Sequence, residues 1–231
     1  MSSAVERHFR TEFVGNERSP VLIIDDFFDQ PDALVDYAAT QCIFQPVKNK
    51  YYPGVRARAP NTYVETVVGR TEGLIREVFG LRGVKLAGAD FDFSMVTTPP
   101  AELQFLQLLP HFDATDICQI AVLHYLCTPD KGGTSFYRHR STGYETITLE
   151  RRDPFLKSLD ADLKASGMPD QAYINGDTKI FERIGSMAAA FNRLIVYRSA
   201  VLHSGDIPRN FCFAHDVRGG RLTLNTFLYF R

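Results

Sequence analysis

The chain has no surplus of charge of either sign: 26 lysines and arginines stand against 27 aspartates and glutamates, for a formal net charge of −1. The basic residues are scattered rather than gathered into a stripe, which argues against nucleic-acid binding through bulk charge. Cysteine is sparse. Cys42, Cys118, Cys127 and Cys212 lie far apart without a CxxC pair, which speaks against a zinc ribbon or a disulfide scaffold and fits free thiols in a reducing compartment. Long apolar runs are missing as well: stretches such as Val21–Ile24 and Ile120–Leu123 are far too short to cross a bilayer. The polar stretch from Met1 to Val14 has no apolar core of the kind an export signal needs. The expectation is a cytoplasmic protein with no membrane partner. GxSxG, GxxxxGK and strand-linked GxGxxG motifs are also absent, so the enzyme classes built on them are not supported.

What is present is an ordinary globular composition, 45% hydrophobic and 23% charged over 231 residues, enough for one sizeable core. In the first third, a strand is expected at Val21–Ile24 and a helix over Pro31–Ala39, with Asp29 near its start and Pro31 in its first turn. A second helix is expected over Thr71–Phe79, where Leu74, Ile75, Val78 and Phe79 form one face and Gly80 ends it. From Phe91 onward the pattern alternates: Phe91, Phe93 and Met95 oppose Asp92, Ser94 and Val96. Further strands are expected at Leu103–Leu109, Cys118–Cys127, Arg193–Tyr197 and Leu222–Phe230, with turns at Thr128–Gly133 and Ser204–Asn210. A helical insert, about residues 150–190, starts at Asp153 and Pro154. It presents Leu156, Leu159 and Leu163 as its apolar face and stops at Gly167 and Pro169, making it a lid or a buttress. No repeat or linker divides the chain. The fold class expected is α+β, mainly β, as one domain over residues 1–231 with an antiparallel sandwich or barrel at its centre.

The chemistry-bearing residues sit at the ends of these strands. His111 and Asp113 are two residues apart, so extended backbone points both the same way. His203 follows shortly after the strand Arg193–Tyr197. Two imidazoles and a carboxylate on one face of a metal leave three positions open, as non-haem Fe(II) oxygenases require, whereas a structural zinc site closes its shell. Singly, each piece is ordinary: HxD arises by chance, and a histidine before glycine is a common turn residue. The C-terminal strand adds a constraint, because Arg221, Thr223, Asn225 and Phe227 share a face opposite Leu222, Leu224 and Leu228. If the leucines pack against helices, the guanidinium points inward and requires an anion, which a dicarboxylate satisfies in bidentate fashion.

Five ordered segments, PHFDA at 110–114, LHYL at 123–126, GGTSFY at 132–137, NRLIVYRSAVLHSG at 192–205 and GRLTLNTFLYF at 220–230, resemble the 2-oxoglutarate/Fe(II) dioxygenase superfamily. Within it, they resemble the prolyl-4-hydroxylase-like group. The resemblance implies a double-stranded β-helix (jelly-roll) core, with His111, Asp113 and His203 as ligands of Fe(II). It further implies Arg221 as partner of the distal carboxylate of the co-substrate 2-oxoglutarate, with Tyr125 adding a hydroxyl. The implied reaction consumes O₂ and 2-oxoglutarate, releases succinate and CO₂, and hydroxylates an unactivated C–H bond. Superfamily members that halogenate carry a small residue in place of the carboxylate, so Asp113 favours hydroxylation. Arg221 stands 18 residues after His203, a wider interval than the group usually shows. Arg209 is the rival, but it falls in the turn-like stretch Gly205–Asn210, where a solvated side chain is the ordinary outcome.

On the substrate side, the basic and aromatic segment Lys48–Arg58 is expected as an exposed loop at the cavity mouth, with Tyr52, Arg56 and Arg58 as candidate contacts for a carboxylate or phosphate. Ordinary surface ion pairs are the plainer reading. Arg138, His139 and Arg140 follow a Gly-Gly turn and are expected to be exposed. His124 faces away from Tyr125 along the strand and is expected in the core or an interface. The partners implied are a small-molecule or peptide substrate and O₂, with no nucleic acid; self-association as a homodimer is left open. Two other functions fit the same residues: a cupin-like metal enzyme without 2-oxoglutarate, and a binding protein that has kept the pocket but lost turnover.

Overall fold

The computed structural model describes residues 9–47, 52–213 and 215–231. In chain order its elements are β1 (Phe9–Val14), β2 (Ser19–Ile24), α1 (Pro31–Gln41), β3 (Gln45–Pro46), β4 (Gly54–Arg58), α2 (Asn61–Val78) and β5 (Leu86–Val96). There follow β6 (Gln119–Tyr125), β7 (Thr134–His139), α3 (Leu149–Ser166), β8 (Phe181–Met187), β9 (Arg193–Arg198), β10 (His203–Gly205) and β11 (Leu222–Phe230). The strands form two antiparallel sheets. The larger runs β1-β2-β9-β6-β11-β5-β4-β3 and the smaller β10-β7-β8.

The two faces of the large sheet follow directly from alternation. Leu222, Leu224 and Leu228 of β11 lie on its outer face with Phe93, Ile120, Val122, Leu194 and Val196. There they meet the buried stripe of α2, Tyr63, Val67 and Ile75, and Leu34, Val35 and Ala38 of α1. Spacing of four and of three to four residues places each helical set on one side of its helix. The inner face carries Ala121, Leu123, Tyr125, Ile195 and Tyr197, which pack against Phe136 and Met187 of the small sheet. Each buried side chain of this size contributes about 1.5–3 kcal/mol through removal of apolar surface from water. In register across the inner face, Arg56 opposes Ser94, Ser94 opposes Thr223, and Thr223 opposes Tyr125. Directly opposed residues share a face, so β11 places its polar row between the two sheets.

The structure departs from the expected elements in several places. Leu103–Leu109 is not a strand: it contains the short 3-10 turn Phe105–Leu108 and directly follows another, Pro100–Glu102. Local bonding decides this: Pro99 and Pro100 donate no backbone hydrogen bonds, and the Gln107 side chain accepts from the Gln104 amide at 2.9 Å. Helix α2 begins ten residues before Thr71; Gly69, Gly73 and several β-branched residues lower its intrinsic propensity and hide it in the sequence. Helix α3 starts at Leu149, so Pro154 lies within its second turn. Phe155 is its buried anchor, Leu159 and Leu163 are partly buried, and Leu156 is exposed. The expected insert over 150–190 is helical only in its first half, since Phe181–Met187 pairs with β7 as β8.

Candidate metal centre and its chamber

The three expected ligands converge. Backbone hydrogen bonds from the His111 amide to the His203 carbonyl at 2.9 Å, and from the His203 amide to the His111 carbonyl at 2.8 Å, join residues that are 92 positions apart. The Asp113 amide donates to the Ser199 carbonyl at 2.8 Å, which fixes the carboxylate beside the bridge. As a result His111 Nε2 lies 3.8 Å from Asp113 Oδ1, His203 Nε2 lies 3.6 Å from Asp113 Oδ2, and the imidazole centroids are 4.3 Å apart. One ligand atom from each residue lies within 4.8 Å of the others. Ligand atoms about 2.1 Å from a shared metal stand roughly 3.0–3.4 Å apart, so both histidine–carboxylate distances are within an ångström of that closure.

Protonation suits the same task. His203 Nδ1 lies 2.9 Å from the Val201 carbonyl, an arrangement that places its proton on Nδ1 and leaves Nε2 as the free lone pair. Burial, then the neighbouring His203 and Arg56, push His111 well below the usual histidine range, which keeps its imidazole neutral. Burial raises the Asp113 carboxyl against the opposing pull of His203 and Arg56. This is a carboxylate held without a hydrogen-bonded counter-ion, for which a metal cation compensates. Tyr197 packs against His203 at 4.8 Å between centroids and closes the floor of the site. Its importance escaped the sequence reading, where it is only the last residue of an apolar strand.

The centre opens into a chamber of about 810 Å³ between the sheets. Its wall includes Arg56, Thr134, His203, Gly205, Arg221, Asn225 and Phe227, and α3 contributes Arg152, Phe155, Leu156 and Leu159 at one side. Helix α3 thus serves as a wall of the chamber. Arg221 is buried, and its Nη2 donates to the Gly133 carbonyl at 2.8 Å and its Nε to the Gly132 carbonyl at 3.4 Å. Among the described residues no carboxylate lies within 4.0 Å of it. The guanidinium reaches toward Gly205, where an added Cβ would stand 3.9 Å from Arg221 Nη2. His203 is two residues back along β10, on the same side of the strand, and also lines the chamber.

Tyr125 sits differently from the expectation. Its hydroxyl is hydrogen-bonded to Thr134 Oγ1 at 2.7 Å, and its ring lies beneath Arg221, 5.7 Å from the guanidinium carbon. Burial raises its pKa to about 12. It lies behind the chamber wall, so Thr134 carries the hydroxyl at the surface. Arg209 is exposed in a turn.

Residues 48–51 of the expected basic loop lie outside the described residues. The remainder is not a loop: Gly54–Arg58 is strand β4, drawn into the sheet because Val55 and Ala57 bury their side chains. Tyr52, Arg56 and Arg58 all line the chamber; Arg58 is largely exposed, stacked over Phe91 at 3.9 Å and 3.9 Å from Asp92. His139 is also corrected, being fully buried, with Nε2 3.0 Å from Asp162 and its ring against Phe155 and Phe181. Alternation in β7 turns it under α3, where it ties strand to helix. His124 occupies the core as expected, between Tyr63 and Asn192 at 3.3 Å and 3.1 Å.

Two packed antiparallel sheets with a two-histidine, one-carboxylate cluster at one end of the cavity between them define the class of the molecule: a mainly β protein whose fold is that of 2-oxoglutarate-dependent non-haem enzymes. HygX from Streptomyces hygroscopicus, solved with nickel, 2-oxoglutarate and hygromycin B bound, superposes with a TM-score of 0.51 at 11% identity, over 92% of this chain and 84% of that one. SnoN, a non-heme alpha ketoglutarate dependent epimerase from nogalamycin biosynthesis, superposes with a TM-score of 0.50 at 9% identity, over 92% and 78%. The chain belongs to the family described as "Family of unknown function (DUF6445)", whose model matches residues 6–228. No curated protein matches it. No helix among the described residues is long and apolar enough to cross a membrane.

Proposed function

We propose that this protein is an Fe(II)- and 2-oxoglutarate-dependent oxygenase of the hydroxylase type, built on a double-stranded β-helix of the prolyl-4-hydroxylase-like kind. One observation carries the reading. A buried arginine whose hydrogen-bond partners among the described residues are two carbonyls faces the same chamber as a three-residue ligand cluster. His111, Asp113 and His203 would hold the metal, and Arg221, flanked by Thr134, would take the distal carboxylate of 2-oxoglutarate. When bound, the metal and co-substrate supply the oxidising power to break a C–H bond using O₂.

The chain's own residues do the rest. The His111–His203 backbone bridge presets the ligand face, so little reorganisation accompanies metal entry. The carbonyls of Gly132 and Gly133 orient the guanidinium before an anion arrives. Phe155, Leu156 and Leu159 of α3 border the chamber and limit water around the reacting carbon. The substrate in this reading is a small molecule or a peptide segment that enters the same chamber.

The test is oxygen consumption coupled to succinate release in the presence of Fe(II), with Arg221→Ala as control. Succinate formation from 2-oxoglutarate by the wild type, abolished in the variant, supports the reading. Turnover independent of 2-oxoglutarate would instead favour a cupin-like enzyme.

A further inference from the structure

The chamber contains a second arginine whose charge the proposed co-substrate site does not use. Arg56 projects from β4 on the same face as Ser94 and Thr223 and lines the chamber. Among the described residues it makes no ion pair. The nearest acid on the neighbouring strand, Asp92, is turned to Arg58. Among the described residues Arg56 Nε is buried without a hydrogen-bond partner, and beside it the buried Tyr52 hydroxyl has only the Ser94 hydroxyl within reach. A buried guanidinium N–H left without an acceptor is costly, and one on a cavity wall marks a position where something else supplies the acceptor.

The arrangement also keeps the charge in place without cancelling it. Arg56 stacks on the Tyr52 ring, 4.6 Å from guanidinium carbon to centroid, which fixes its plane while leaving the N–H edge free. Arg221, by contrast, is already anchored by two carbonyls and faces Gly205. The remaining walls are largely apolar, with Phe112, Phe155, Leu156 and Leu159 among them.

From this corner we infer that the primary substrate is an organic acid, its carboxylate received by Arg56 together with the Tyr52 hydroxyl, and its apolar body lying along the aromatic and leucine wall. A single cation with one hydroxyl donor matches one delocalised negative charge, and a phosphate dianion would call for more. This inference rests on the assignment of Arg221 to 2-oxoglutarate.

The experiment uses the anaerobic protein loaded with Fe(II) and 2-oxoglutarate, with 3-phenylpropionate and its uncharged amide as the matched probes. Binding is read by saturation-transfer NMR, and the Fe(II)–2-oxoglutarate charge-transfer band is recorded in parallel. Wild type is expected to bind the acid at least tenfold more tightly than the amide. Arg56→Gln should lose that preference and keep the charge-transfer band, and Arg56→Lys should keep part of the preference. Equal or absent binding of both probes by wild type, or an undiminished preference in Arg56→Gln, overturns the inference. Loss of the band in Arg56→Gln also overturns it, because Arg56 would then be the co-substrate anchor. If wild type shows no band, the co-substrate reading fails by itself, and the acid-over-amide preference is still read in the metal-free protein. Stronger binding by 3-phenylpropyl phosphate than by the acid would replace the carboxylate with a phosphate.

Discussion

His124 makes the packing account quantitative. Its imidazole is completely buried between α2 and the large sheet, with Tyr63 on one nitrogen and Asn192 on the other. Burial drives its pKa from 6.5 down to about 4, with the Asn192 hydrogen bond opposing in part. In the unfolded chain the ring takes up a proton near pH 6.5, whereas the folded protein resists until about pH 4. Between those values the unfolded state binds more protons, so stability falls as pH is lowered. At 1.36 kcal/mol per unit, a shift of this size amounts to about 3 kcal/mol, fully present above pH 6.5 and gone below pH 4. Other groups titrate in the same window, so the comparison is between wild type and His124→Gln, by urea unfolding at a series of pH values with chelator present to remove metal linkage. The variant is expected to be less stable at pH 7.5, and its stability should decline less steeply on acidification, by up to about 3 kcal/mol. Parallel pH profiles for the two proteins would refute the assignment of that slope to His124.

Further outcomes follow from the same structure. Arg221→Ala should weaken 2-oxoglutarate binding by about 30-fold or more, since truncating one side of a buried charge-assisted pair costs about 2–5 kcal/mol; Arg209→Ala should leave it unchanged, and equilibrium dialysis separates the two. Tyr125→Phe removes one buried hydrogen bond to Thr134 and should cost about 1 kcal/mol in chemical unfolding, with no change in 2-oxoglutarate affinity. Phe155→Ala removes the anchor of α3 from the cluster of Tyr137, Ile147, Phe181 and Leu202 and should lower stability by about 3–5 kcal/mol, measurable by denaturant titration.

The strands with regular alternation were legible in the sequence. In β5 Phe91, Phe93 and Met95 alternate with Asp92 and Ser94, in β11 Leu222, Leu224 and Leu228 share one face, and β6 is a nearly continuous apolar run; the large sheet is built on them. β11 also disclosed Arg221, because its leucines had to face helices and thereby turned the arginine inward. The small sheet was hidden: β7 reads Thr-Ser-Phe-Tyr-Arg-His and β8 reads Phe-Glu-Arg-Ile-Gly-Ser-Met, patterns in which polar residues find buried partners such as Asp206 and Glu145 rather than solvent. Spacing could suggest that His111 and Asp113 share a side, but their meeting with His203 depends on a long-range backbone bridge that no local pattern encodes. Arg56 was flagged as a basic residue of an exposed loop. Its place on the chamber wall, on the same face of β4 as Arg58, depends on β4 joining the sheet.

The central claim is that His111, Asp113 and His203 hold a metal that Arg221 helps to load with 2-oxoglutarate. Anaerobic titration of 2-oxoglutarate into the Fe(II) protein, followed by the metal-to-ligand charge-transfer absorption, tests it most directly. The account predicts a band that saturates at one 2-oxoglutarate per chain, is absent in His203→Ala and requires far more 2-oxoglutarate in Arg221→Ala. A wild-type protein that binds Fe(II) but develops no band, or a band that persists in His203→Ala, would contradict it.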